Sequence, residues 1–339
     1  MPPWWQFWRG PTEEEKRNEE LQKQSILALE SGDIPSTAKE RIRLELGKGS
    51  KFFSSDLSVR EFLLTKEAGI EPIAQVMGTA FYNVSFWGSY MGPMRSTGEL
   101  EKITHAQTEA RKLALNRMKI EAKLLGASGV IGVRLQVKET EYAQRMSEFT
   151  AYGTAVRIPN YPPEAEPFTS DLNGQDFWQL YKAGYRPKGV VMGLCSYYLN
   201  TNWRSYIQQF GFLGLGGFKN QEIEQYTSGF YEARNRAINR MTQEMYEIQA
   251  DGMVGMNITH KIDEIRYGDS SNSQVDLLIN FTALGTGIDK TENVERTSPL
   301  WCIDLRKEGR PSCTFGFGGD LGEVQYTGGD GIDDGEMGE

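Results

Sequence analysis

The sequence predicts an α+β protein: two tandem copies of one compact domain, preceded by a helical N-terminal arm and followed by a Gly-rich, acidic, disordered tail. Three observations carry this. Short motifs recur at a constant offset, apolar residues in two long stretches keep helical spacing, and runs rich in β-branched residues flank each stretch. Ser55-Asp56-Leu57 recurs as Ser170-Asp171-Leu172, Ala68-Gly69 as Ala183-Gly184, and Val76-Met77-Gly78 as Val191-Met192-Gly193, all about 115 positions apart. Further on, Glu109-Ala110-Arg111 answers Glu232-Ala233-Arg234 and Arg117-Met118 answers Arg240-Met241. The offset has there grown by about eight, which the Gly-rich stretch 211–217 absorbs as a longer loop. A further insertion, at 268–273, precedes Gly285-Thr286-Gly287-Ile288, the counterpart of Gly153-Thr154-Ala155-Val156.

The elements follow in order. Residues 1–53 form an aromatic N-terminus and a helical arm, in which Thr12 caps a charged helix with Glu15 as its capping-box partner. Leu21, Ile26, Leu27 and Leu29 give that helix a short apolar stripe, and Pro35-Ser36-Thr37 opens a second helix ending near Gly47. Domain one spans 54–158 and domain two 169–290, joined by a linker, 159–168, that holds Pro159, Pro162, Pro163 and Pro167. Each domain begins with a short helix after a Ser-Asp cap (57–67, 172–182) that ends at a glycine. A strand follows (73–87, 189–199), then a long helix (100–125, 221–249) in which Leu113, Met118, Ile120 and Leu124, or Ala237, Ile238, Met241, Met245 and Ile248, keep helical spacing. Gly126 ends the first long helix, and Gln249 stands at the corresponding place in the second. Two more strands close each domain: 130–137 with 149–158, and 253–262 with 274–283. Gly132 and Gly255, at the starts of apolar strands, mark close packing or a bulge. The tail, 291–339, is Gly-rich and acidic, the composition of a solubilising segment without a core.

The residues repeated in the long helix, the turn Leu125-Gly126-Ala127 leading into Val130-Ile131-Gly132-Val133, and the closing run Tyr152-Gly153-Thr154-Ala155-Val156 resemble the YbjQ-like family, often labelled heavy-metal-binding. The second copy departs at Asp251, Met253 and Gly287. The resemblance implies a compact α+β domain that forms ring-shaped, five-fold assemblies and has no established reaction.

Composition narrows the function classes. A net charge of -9 over 339 residues excludes the phosphate-neutralising surface of a non-specific nucleic-acid binder. Three cysteines, Cys195, Cys302 and Cys313, show no paired short spacing, which points to a reducing cytoplasm rather than a disulfide framework. No basic-then-apolar leader and no apolar run of membrane-spanning length is found, so a cytoplasmic location is expected. Two histidines, His105 and His260, are too few for a multi-His metal site within one chain; each is a weak candidate ligand and more readily a solvated polar residue. Glu109, Arg111, Glu232 and Arg234 repeat on the long helices, where an ion pair fixing the helix to a neighbour or an adjacent subunit is the favoured role. No nucleophile–base pair and no cofactor motif accompanies them, so neither an enzyme nor a cofactor is expected. Trp4, Trp5, Phe7 and Trp8 form a cluster that a short segment cannot bury by itself. Docking on a subunit or protein partner is favoured there over a membrane surface, because Arg9 is its only early positive charge.

These readings converge on a non-enzymatic structural protein that self-assembles into a homo-oligomeric ring or shell. The alternative is a metal- or small-ligand-binding stress protein whose site forms between subunits.

Overall fold

The computed structural model describes residues 12–47, 54–83, 96–139, 146–159, 161, 166–200, 222–267 and 274–291. The aromatic cluster, the 211–217 and 268–273 insertions and the tail from 292 lie outside them. The arm comprises α1 (Glu13–Glu30) and α2 (Ser36–Gly47). Copy one contributes α3 (Val59–Glu67), β1 (Glu71–Asn83), β2 (Gly98–Glu99), α4 (Glu101–Leu124), β3 (Gly129–Glu139) and β4 (Met146–Arg157). The remaining elements are β5 (Phe168–Thr169), α5 (Gly174–Lys182), β6 (Tyr185–Leu199), α6 (Glu224–Glu247), β7 (Gly252–Tyr267) and β8 (Gln274–Lys290).

Local sequence accounts for the element ends. Thr12 and Glu15 make the expected capping box on α1. The Ser-Asp caps expected at 55–56 and 170–171 are displaced: α3 is capped by Ser58, in a capping box with Glu61, and α5 by Asn173. In copy two the displacement has a cause, because Ser170 is drawn into sheet pairing, donating its N–H to Val130 and accepting the Val133 N–H on its carbonyl. The apolar stripe expected on α1 is only partly used: Leu21 and Leu29 are half-buried, Ile26 and Leu27 are 57% and 66% exposed, and no residue of the helix is fully buried. Gly126 and Gln249 both take a left-handed backbone after the long helices, with φ of 67° and 54°. Among the described residues Gln249 alone does so without being glycine, so the shared geometry of the two copies outweighs the residue's preference.

Two four-stranded sheets result, ordered β1-β4-β3-β5 and β2-β6-β8-β7. Register breaks between Ile131 and Arg134 and between Val254 and Asn257 place a bulge at Gly132 and at Gly255. Each long helix lies across the first strand of its own copy at backbone contact distance. A Cβ on Gly78 would sit 2.1 Å from Ala114 O, and one on Gly193 would sit 1.8 Å from Ala237 O. Small residues facing the glycines, Ala110 and Ala114 on α4 and Ala233 and Ala237 on α6, are fully or nearly fully buried and let this approach happen.

Gly78→Ala or Gly193→Ala must push helix from sheet. Each is expected to lower the unfolding free energy by about 1–3 kcal/mol or more. Gly98→Ala, where nothing lies within 4 Å of the added carbon, is expected to change it by less than about 0.5 kcal/mol. Denaturant titration of the three variants checks this.

Candidate assembly interface

The two sheets exchange strands between copies. β2, from copy one, pairs antiparallel with β6 of copy two (Gly98 opposite Tyr198, Glu99 opposite Tyr197). β5, which leads into copy two, pairs parallel with β3 of copy one, placing Phe168 beside Gly129 and Thr169 beside Val130. A Cβ on Gly129 would lie 2.3 Å from the Phe168 ring. Phe168 then stacks on Phe177, and both join Ile70, Ile131, Val156 and Leu172 in a core drawn from both copies. Met192 and Leu194 of β6 are likewise buried in the core that holds Ala110, Ala114 and Met118 of α4.

Polar groups at this junction close the free edge of β6. The Leu100 N–H donates to Ser196 O at 2.8 Å, and the Ser196 N–H donates to the Thr104 hydroxyl at 3.0 Å. The Val190 N–H donates to the Thr169 hydroxyl at 3.0 Å, and the Met192 N–H to Glu244 at 2.9 Å. Glu244 in turn meets Lys112 of copy one at 2.7 Å, a contact that holds the lysine's proton more tightly than usual.

Glu99 is the charged centre of the junction, with its side chain only 3% exposed. One carboxylate oxygen lies 3.1 Å from Arg236. The other lies 2.6 Å from Arg240 as an ion pair off the line of an N–H, because that arginine aims its N–H at Leu194 O, 2.7 Å away. Burial pushes the Glu99 carboxyl up, but Arg240, Thr104 and Arg236 together outweigh burial and hold it below the ordinary carboxylate value.

The residues singled out from the sequence are distributed differently. Trp4, Trp5, Phe7 and Trp8 lie outside the described residues. Glu109 is exposed on α4, whereas Arg111 is buried with its guanidinium 5.6 Å above the Phe149 ring, and burial lowers its value to about 10. Glu232 bonds Arg236 one turn on, at 2.9 Å, not Arg234. The repeated Glu-Ala-Arg is thus not one recurring pair. His105 is exposed on α4, and His260 packs edge-on against Phe230.

Glu99 and Arg236 are not among the residues singled out from the sequence, and Arg240 enters there only as the repeat of Arg117. A signal exists for Glu99, since Glu99-Leu100-Glu101 recurs as Glu222-Ile223-Glu224 just before each long helix, but none for Arg236, whose counterpart is Leu113.

A cleft of about 240 Å³ opens where the copies meet, lined by Asp56, Glu61, Arg134, Asp171, Asp176 and Asn257 among others. Its carboxylates are engaged within the protein. Asp56 meets Arg134 at 3.8 Å, Glu61 takes the Ser58 N–H, Asp171 takes the Thr286 hydroxyl, and Asp176 takes the Asn173 amide.

A profile of the YbjQ_1 family, described as "Putative heavy-metal-binding", matches residues 67–159 and 201–287. The chain belongs to this family and carries its domain twice in tandem. It is 34% identical over 282 residues to "Encapsulin nanocompartment protein Rv1762c" of Mycobacterium tuberculosis, covering 82% of this chain and 99% of that protein. It is 35% identical over 100 residues to a UPF0145 protein of Clostridium novyi, covering 29% of this chain and 93% of that protein. Over 61 residues it is 48% identical to a UPF0145 protein of Archaeoglobus fulgidus, covering 18% of this chain and 55% of that protein. No solved structure matches the chain.

The metal named in the family description does not fit the donors described. Among the described residues no three His, Cys, Asp or Glu side chains converge. Burial, with Glu99 nearby, pushes the Cys195 thiol up to about 12, away from the thiolate a metal needs. Also among the described residues, no helix is long and apolar enough to cross a membrane.

Glu99→Gln keeps the shape of the junction and removes its charge. It is expected to cost about 1–2 kcal/mol at neutral pH. Because the folded value of Glu99 is lowered, its contribution is present above the ordinary glutamate value and is lost as the pH falls through the lowered folded value. Denaturation between about pH 3 and 7 should therefore show a smaller acid loss in the variant than in the wild type.

Proposed function

We propose that this protein is a non-enzymatic building block that self-associates head to tail into a homo-oligomeric ring or shell through its tandem YbjQ-like domains. The observation that carries this is the junction between the copies. Copy one offers β2 and the start of α4, and copy two receives them on the edge of β6, so two copies of one domain meet through unlike surfaces. A contact of this kind leaves each partner's other surface free and repeats until it closes as a ring or continues as a filament. The likeness to a mycobacterial protein named as an encapsulin nanocompartment protein, over 82% of this chain, supports closure into a shell.

Two copies that lie side by side occupy adjacent positions of one ring. Such a ring holds an even number of domains, and five chains in it would supply ten. The aromatic segment with Trp4, Trp5, Phe7 and Trp8 is assigned to docking on a neighbouring subunit or a protein partner, since it adds apolar surface without the basic face a membrane anchor uses.

The native mass of the full-length protein, measured by light scattering together with metal analysis of the same sample, tests this reading. A large, discrete oligomer without stoichiometric metal is expected. A monomer or dimer carrying one metal per chain would overturn it in favour of a ligand-binding protein. Deleting residues 1–10 is expected to weaken assembly or partner docking while leaving the unfolding midpoint unchanged; unaltered mass and partner binding would remove the docking role.

A further inference from the structure

The junction between the copies has a near-duplicate on the outer flank of copy one, and there the arm supplies the contacts. On copy two, Arg240 donates to Leu194 O and meets Glu99, while Glu244 accepts the Met192 N–H and meets Lys112. At the matching positions of copy one, Arg117 donates to Thr79 O at 2.7 Å, and Glu121 accepts the Met77 N–H at 3.0 Å. Here the outer partners come from the arm. Arg117 also donates to Asp33 O and Leu29 O, and Glu121 binds Arg41 at 3.1 Å. Ile34 and Ile42 anchor the arm at 2% and 1% exposure. The arm thus holds on copy one the seat that β2 and α4 hold on copy two.

Beyond the arm, the described residues of the flank include exposed apolar side chains. Met192 on β6 is 3% exposed, whereas its counterpart on β1, Met77, is 54% exposed. Phe81, the counterpart of Ser196, is 61% exposed. The surface that would cover them is present elsewhere in the chain. Ile223 precedes α6 with φ −97° and ψ 87°, nearly repeating Leu100 before α4 at −93° and 78°. Thr227 stands where Thr104 stands, and Glu222, exposed, where Glu99 stands. Thr104 and Leu115 are buried by the junction, but their counterparts Thr227 and Ile238 are only half-buried.

We infer that copy two of one chain docks on the β1 flank of copy one of a second chain. The Ile223 N–H and the Thr227 hydroxyl serve the Phe81 backbone as Leu100 and Thr104 serve Ser196, and Glu222 takes Arg117. The arm and the incoming α6 compete for Arg117 and Glu121, so the arm leaves when the second chain docks. This rests on the self-assembly reading and specifies its interface.

Phe81→Glu and Thr227→Glu, in the full chain, test it by native mass, with circular dichroism to confirm folding. Each variant alone is expected to be monomeric. An equimolar mixture is expected to give a one-to-one dimer and nothing larger, because only one of its two junctions joins intact surfaces. No dimer in the mixture would overturn the unlike-surface contact, and variants that assemble like the wild type would overturn this docking site while leaving self-assembly standing. A monomeric wild type would instead remove the self-assembly reading itself. Ile42→Glu, which loosens the arm, is expected to lower the concentration needed for assembly about ten-fold; a higher threshold would show that the arm builds the contact rather than competing for it.

Discussion

An unpaired edge on the first strand of each copy is the constraint from which the rest of the structure follows. Within its own copy β1 pairs only with β4 and β6 only with β8, so every second N–H and C=O of the other side needs a partner from elsewhere. The protein meets this need with side chains from its own long helix as far as they reach. Glu121 takes the Met77 N–H and Arg117 the Thr79 carbonyl, and Glu244 and Arg240 do the same for Met192 and Leu194. Past that reach a second body is required. For β6 it is copy one; on copy one the arm instead seats on Arg117 and Glu121, the side chains that serve β1.

The helix can serve its strand in this way only because it lies so close. Gly78 and Gly193 bring the helix backbone against the strand, which places the carboxylate and guanidinium of the following turns at the sheet edge. The same closeness turns the outer sides of these charged groups toward whatever docks next. Glu244 binds the strand N–H with one oxygen and Lys112 of the neighbouring body with the other, and Glu121 binds the strand N–H with one oxygen while Arg41 of the arm meets both. Edge closure and domain contact therefore share the same side chains.

Much of this was legible in the sequence. The repeat offset, the glycine-terminated helices and the strand pairs follow from composition and period, and even Gln249 was placed correctly by its correspondence to Gly126. What was not legible lay in contacts between distant parts of the chain. A two-residue strand such as Gly98–Glu99 carries no periodicity, and nothing local says that it pairs with β6 rather than with β1. The cap of α5 falls outside the Ser-Asp pair for the same reason, because Ser170 is taken up by sheet pairing that its own neighbourhood does not announce. Glu109 and Arg111 repeat within a longer matching run, yet the residue at the junction is Glu99, whose repeat at Glu222 rests on a Glu-x-Glu pattern alone.

On this account the family's domain is a unit that offers one surface and receives another, and tandem duplication has fixed one such contact within the chain. Imaging of assembled particles at side-chain resolution tests that claim most directly. The account predicts alternating copies around each ring, with the start of α6 in one chain seated on β1 of the next, as β2 and α4 are seated on β6. Copies meeting through like surfaces, or copy one and copy two segregated into separate rings, would contradict it.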